Sequence, residues 1–209
     1  MDLEEEGASL KGKRIIFKNS LSPGDLVMLS AAVRDLHVCY PGRFITDVRT
    51  PYPDLWKNNP HLTPLDGEDP SVETLECFYP LIDQSNTTPH HCIHGFAQFL
   101  NDKLGLAIQP SQFCGDIYLS DEERSWHSQV YEKTDKNVPF WVVDSGGKYD
   151  VTIKWWDQSR FQAVVDYFRD RILFVQVGAK KHHHPKLEGA IDLRGETTLR
   201  QLIRLIHHS

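Results

Sequence analysis

Cysteine is scarce in this chain. Cys39, Cys77, Cys92 and Cys114 are the only four in 209 residues, and no two of them form a CxxC pair. That pattern argues against a disulfide framework or a paired-cysteine zinc site and reads as free thiols in a reducing cytoplasm. No run of 18 apolar residues occurs, so a membrane-spanning helix is not expected. Nor is there a basic, then apolar leader at the start, so export by that route is not expected either. Positive charge is in deficit: the net charge of −6 argues against a general nucleic-acid binder, which is usually basic. Neither GxxxxGK[ST] nor HExxH is present, which removes the P-loop and the zincin reading.

What the chain does have is apolar content, 40% with 11% aromatic, enough for a sizeable core. Its length fits one large domain, or one domain plus part of another. Charge is unevenly spread. Residues 139–209 carry 11 Lys/Arg against 8 Asp/Glu, and residues 1–138 carry 12 against 21. A basic second part suits a phosphate-bearing ligand. The opening Met1-Asp2-Leu3-Glu4-Glu5-Glu6-Gly7 reads as the start of an acidic, frayed tail over residues 1–13.

A strand is expected over 14–18 and a helix over 25–39, where Leu26, Leu29, Val33 and Leu36 recur at spacings of three and four. Tyr40-Pro41-Gly42 stops it, and a second strand follows over 44–48. Strand, helix, strand in this span is a βαβ unit, hence a parallel pair. The Pro- and Asn-rich stretch over 50–69 leaves room for a short helix at 54–58 and a short strand at 61–65. A strand over 72–78, a helix over 92–104 stopped by Gly105, and a helix over 121–131 capped by Ser120 with Glu123 come next. Residues 140–144, 158–170, 172–177, 190–193 and 198–207 then repeat the βαβ pattern as strand, helix, strand, short strand and helix. This places an α/β domain over 14–135 and a partial second one over 136–209.

Two segments carry candidate chemistry. The first is Ser22-Pro23-Gly24-Asp25, between a strand and a helix, which sets a carboxylate at the mouth of an α/β sheet. Pro23 and Gly24 are expected to turn the backbone there. Asp25 reads either as a residue favoured at a helix start by capping and the dipole, or as a base. The second is Asp144-Ser145-Gly146-Gly147-Lys148, with Lys154-Trp155-Trp156 beyond it. Glycines at a strand's carboxyl end let backbone N–H groups face a phosphate, and Lys154 adds a point charge. A plain glycine turn with a solvated lysine explains the same residues. Lys180-Lys181-His182-His183-His184-Pro185 reads as a solvated turn or a basic loop at the ligand mouth ahead of a metal site, since adjacent histidines cannot all reach one ion. His90-His91-Cys92-Ile93-His94, at a helix start, is likewise not read as a metal site. Trp126, Trp141, Trp155 and Trp156 read as core or domain-interface residues, with one of the adjacent pair rimming the cleft.

Four segments in order resemble glycosyltransferase family 9, the ADP-heptose:lipopolysaccharide heptosyltransferase family. They are Pro23-Gly24-Asp25-Leu26 with Ala31-Ala32-Val33-Arg34-Asp35-Leu36, then Tyr40-Pro41-Gly42, then Asn58-Asn59-Pro60-His61-Leu62, and last Ile191-Asp192-Leu193-Arg194-Gly195-Glu196-Thr197-Thr198-Leu199. The resemblance implies a GT-B architecture: a Rossmann-like acceptor domain and a second Rossmann-like domain, here partial, for a nucleotide-sugar donor. It implies Asp25 as the catalytic base beside Ser22, Pro23 and Gly24 in the acceptor loop. Ser145, Gly146, Gly147 and Lys154 then belong to the donor site, with an ADP-heptose-like donor, no metal and inversion at the anomeric carbon. The implied acceptor is a saccharide or protein hydroxyl, with peripheral membrane contact at the inner face if that acceptor is lipid-linked. The family's later donor-site motif is absent, which implies an incomplete second domain, self-association through it, and doubtful activity for the chain by itself. A non-catalytic sugar- or nucleotide-binding module, or a fragment completed by a separate chain, is the alternative.

Overall fold

The computed structural model describes residues 12–79, 81, 84, 87, 89–149 and 152–209. The acidic tail expected over 1–13 thus lies outside the described residues as far as residue 11. The chain forms two compact units, Met1–Leu119 and Ser120–Ser209. Residues 120–135, assigned to the first domain from sequence, fall in the second unit.

The first unit is built on β1 (Lys13–Lys18), α1 (Pro23–Cys39), β2 (Phe44–Arg49), β3 (Val72–Glu76) and α2 (Cys92–Leu104). Its three strands are parallel in the order β2-β1-β3. Ile15, Ile16 and Phe17 are buried in succession, the mark of a central parallel strand covered on both faces. Helix α1 starts two residues earlier than the apolar spacing predicts. Pro23 is its first residue, where a missing N–H costs nothing, and Ser22 is the extended N-cap. Pro23 and Gly24 are therefore helical, and the turn is made by residues 19–22. Leu26, Leu29, Ala31, Ala32, Val33 and Leu36 are fully buried, and α1 packs against α2. Gly105, in the left-handed conformation, closes α2 by donating its N–H to Asn101 O. The expected helix at 54–58 is a 3-10 turn, Pro53–Trp56, and the expected strand at 61–65 is a single parallel bridge between Thr46 and Leu62.

A polar network holds the strand-free segment 109–118 onto α1. Asp35, with no exposed surface, accepts from Ser111 N (3.2 Å), Ser111 Oγ (2.5 Å) and Arg34 Nε (3.0 Å). Arg34 reaches on to Asp116 Oδ2 (2.7 Å), Cys114 O (3.1 Å) and Gln112 O (3.1 Å). Between them Gly115 presses on the helix so closely that a Cβ there would lie 2.0 Å from Val27 O. Only glycine fits that contact.

The second unit contains α3 (Asp121–Ser125), α4 (Gln129–Thr134), β4 (Phe140–Asp144), α5 (Gln158–Phe168), β5 (Leu173–Val177), β6 (Ile191–Asp192) and α6 (Leu199–His207). The sheet is parallel in the order β4-β5-β6. Val130, Phe140, Val175, Val177, Leu193 and Leu205 bury one face against α4 and α6. Val165, Phe174 and Leu187, with Phe161 and Phe168, bury the other against α5. The single helix expected over 121–131 is two. Trp126 is extended, and Ser128 caps α4 by accepting from Tyr131 N.

Glu123 and Arg200 form a buried bidentate pair that ties α3 to α6. The Arg200 guanidinium, and then Ser120 N–H, hold the Glu123 carboxyl down at about 2 against the opposing effect of burial. Because the folded value is depressed, this stabilisation is complete above the ordinary value of 4.5 and is lost as pH falls through about 2. Urea midpoints measured across that window are expected to fall less steeply for Glu123→Gln than for the native chain, from a lower starting stability.

Candidate functional site

In the first unit the strand order reverses at β1, so the carboxyl end of β1 is the topological switch point where α/β folds hold ligands. The chain leaves β1 through Asn19, which is buried. Its Nδ2 donates to Cys77 O (3.1 Å), beyond β3, and its Oδ1 accepts from Leu21 N (2.8 Å). This turn delivers Asp25 to the third position of α1. Asp25 Oδ2 accepts from Ser22 Oγ (2.6 Å) and Ser22 N (3.2 Å). The carboxylate therefore does cap the helix, but through one oxygen only. Among the described residues Oδ1 accepts no hydrogen bond, which leaves a half-exposed, oriented acceptor at the sheet mouth. No side chain is missing from Gly24 for reasons of space: a Cβ there meets nothing within 4 Å.

The Asn58-Asn59-Pro60-His61-Leu62 segment is structural in what it touches. Asn58 has φ 61°, and Asn59 Oδ1 accepts from His61 N (2.9 Å). The His61 ring stacks on His37 at 5.1 Å. Thr46 has one hydroxyl proton and donates it to His61 O (3.0 Å), so its oxygen accepts from His37 Nε2–H (2.7 Å). Burial, and then His61, push His37 down to about 4.

In the second unit a groove of about 430 Å³ opens beyond the carboxyl ends of β4 and β5. Gly146, Trp155, Trp156, Asp157, Gln158, His183 and Pro185 line it. Its floor is made by two loops that are remote in sequence. Gly147 N donates to His183 O (2.9 Å) and His183 N to Gly147 O (3.0 Å), an antiparallel bridge. Gly146 approaches so closely that a Cβ would lie 1.9 Å from His183 O, and its φ of +119° also favours glycine. The Trp155 ring stacks on His183 at 4.5 Å and 20°, and Tyr149 meets both rings at 5.9 Å. The expectation of one rim tryptophan becomes two: Trp155 and Trp156 both line the groove. Trp141, at 54% exposure, is not a core residue.

The four donor-site residues named from sequence are placed differently from one another. Gly146 lines the groove. The Gly147 N–H is committed to the bridge. Ser145 is fully buried, its hydroxyl taking a hydrogen bond from Gln176 Nε2 (2.8 Å). Lys154 is exposed at the end of a 3-10 turn, Thr152–Lys154, beside the groove rather than in its wall. The triple histidine is more than a solvated turn. His183 is a wall residue, and the His184 side chain is only 4% exposed. His184 Nδ1 faces two acceptors, Asp144 Oδ1 (3.0 Å) and Ser145 O (3.3 Å), so Nδ1 carries the proton. Among the described residues no three His, Cys, Asp or Glu side chains are grouped as a metal site requires.

Gln176, which belongs to none of the motifs, organises this mouth. Fully buried in β5, it donates to Ser145 Oγ and Pro185 O (2.7 Å) and accepts from Leu187 N (2.8 Å). A lone amide inside the apolar strand Leu-Phe-Val-Gln-Val was the available signal, because a buried polar side chain must find partners.

Two solved structures share this fold. One is a glycosyltransferase family 9 protein from Veillonella parvula DSM 2008. It has 13% identity and a TM-score of 0.64, over 94% of this chain and 74% of that one. The other is the E. coli ADP-heptose lipopolysaccharide heptosyltransferase II, with 16% identity and a TM-score of 0.57, over 92% and 76%. No protein-family model matches the sequence, and no curated protein matches it. The chain thus has the parallel-sheet α/β fold of the family 9 GT-B glycosyltransferases, as the motifs implied. No helix among the described residues is long and apolar enough to cross a membrane.

Proposed function

We propose that this chain is an inverting glycosyltransferase that uses a nucleoside-diphosphate sugar of the ADP-heptose type. One observation carries the reading. In a fold shared with two glycosyltransferase structures, one unit presents an unpaired carboxylate oxygen at its switch point, and the other opens a groove over a glycine turn. The first unit takes the acceptor, a saccharide or protein hydroxyl, and the second takes the donor. A lipid-linked acceptor brings the protein to a membrane surface.

Asp25 Oδ1 accepts the proton of the acceptor hydroxyl as its oxygen attacks the anomeric carbon. The bond from that carbon to the diphosphate oxygen breaks with its electrons going to the leaving group. Attack opposite the leaving group inverts the configuration. The nucleoside diphosphate departs and the proton remains on Asp25. Ser22 orients the carboxylate through its hydroxyl and N–H. In the donor site Lys154 supplies a point charge to the diphosphate and the Gly146-Gly147 turn lets it approach the backbone, so this scheme invokes no metal.

Mixing the chain with ADP-heptose and, in turn, a saccharide and a protein acceptor, then following ADP release and product configuration by NMR, tests the reading. Acceptor-dependent ADP release with inversion is the outcome it requires. Retention of configuration, or no turnover by folded protein with either acceptor class, rejects it. Gly146→Ala forces a Cβ onto His183 O and opens the bridge, so calorimetry is expected to show ADP binding weakened at least about tenfold.

A further inference from the structure

Two connecting segments of the first unit, 58–62 and 109–118, meet α1 and β2 at a pair of imidazoles. His37, in the last turn of α1, and His61 stack with ring centroids 5.1 Å apart and 23° between their planes. Tyr118 meets the His61 ring edge-on at 6.4 Å, and Asn58 Nδ2 donates to Tyr118 O (3.5 Å). Thr46, buried in β2, joins the two histidines. Its hydroxyl accepts from His37 Nε2–H (2.7 Å) and donates to His61 O (3.0 Å). Thr46 O accepts from Thr63 N (2.8 Å), which fixes the chain just beyond His61. None of these links needs a charge on either ring.

The charges nearby are already committed. Arg34, one turn before His37 on α1, donates to Asp35 and Asp116. Asp47 and Arg49 of β2 pair with each other, as do Asp54 and Lys57 at the adjoining 3-10 turn. Asp116 favours a proton on His61, and Arg34 opposes it. Burial is the largest influence on both rings and disfavours charge on either. A second proton also sets two imidazolium rings 5.1 Å apart, so the histidines titrate as a pair.

We infer that this junction is an acid-released clasp: with both rings neutral it holds the 58–62 segment on α1 and β2, and protons entering the pair free that segment. Asn58, Asn59 and Leu62 wall a groove of about 330 Å³ at the carboxyl end of β2, with Asp47, Val48 and Trp56. Release therefore opens one side of that groove. The direction follows from proton binding. His37 is held at about 4 in the fold against an ordinary 6.5, so the closed junction binds fewer protons than the opened one. The hold is complete above 6.5 and is lost as pH falls from there towards about 4.

Native-state hydrogen exchange of the full chain between about pH 7 and 5, corrected for the intrinsic pH dependence of amide exchange, tests the clasp without any ligand. Protection of the Thr63 amide is expected to drop at least about tenfold across that range, and at the acid end to lie below that of the buried β1 amides. The drop is expected to shrink in His37→Gln and in His61→Phe, and to vanish in the double variant. Glutamine keeps a donor for Thr46, and phenylalanine keeps a ring for Tyr118. An NMR titration of the imidazole rings in the native chain needs no variant, and both are expected to protonate below the ordinary 6.5. Thr63 protection that ignores pH, a drop that survives in the double variant, Thr63 and β1 amides opening together, or two rings titrating at their ordinary value would each overturn the clasp.

Discussion

Asp25→Asn is expected to slow sugar transfer by about 10²–10⁴-fold, the usual contribution of a positioned base, while leaving the fold intact. The asparagine keeps an oxygen for Ser22 N and Ser22 Oγ, so the helix start retains its cap. What it loses is the basic oxygen that the native carboxylate leaves unbonded at the sheet mouth. A cap alone makes a different pattern: an unchanged rate in Asp25→Asn, and a stability loss of about 0.5–2 kcal/mol in Asp25→Ala. Ser22→Ala separates orientation from basicity. It removes the 2.6 Å contact and keeps the base, so a smaller rate loss than in Asp25→Asn is expected. Transfer rates and thermal melts on the three variants decide between the two roles.

Asp35→Ala should have the largest effect on stability, about 3–5 kcal/mol, as expected when one partner of a buried ion pair is removed. Asp35 has no exposed surface, and its loss leaves the Arg34 guanidinium 8% exposed with its Nε unpaired and Ser111 without an acceptor. The segment from 109 to 118 has no strand or helix of its own, and these contacts with α1 carry its buried polar anchoring, beside ring contacts of Phe113 with His91 and His94 and of Tyr118 with His61. Replacing both partners, as Arg34→Met/Asp35→Leu, should cost less than the two single changes added together, because neither member of the Arg34–Asp35 pair is then left without the other. Urea titration of the four proteins reads the coupling directly. Equal, small losses in all of them would mean the network does little for the fold.

Arg34 and Asp35 also show what a sequence conceals. Helix α1 was legible from its leucine spacing, yet the partners of its two charged residues lie about eighty positions away in a stretch without periodicity. The same holds in the second unit. Strands β4, β5 and β6 and helices α5 and α6 could be read from apolar runs and caps. The groove could not, because its floor joins Gly147 to His183 and its wall stacks Trp155 on that same histidine. Those contacts come from tertiary packing, which local propensity does not encode. Two misses were avoidable. Ser128 is a recognisable N-cap that should have split the helix expected over 121–131. Pro23 is a recognisable first helical residue, which puts Pro23-Gly24 inside α1 rather than in the turn before it.

Glycosyl transfer stands or falls on whether the second unit holds a nucleotide sugar, and calorimetric titration of the full chain with ADP and ADP-heptose asks this most directly. Saturable binding of both, weakened by Lys154→Ala through loss of a phosphate contact and by Gly146→Ala through loss of the bridge, is what a donor site requires. A folded chain that binds neither, or binds equally well in both variants, would show that the groove beside Trp155 and His183 is not where a donor sits.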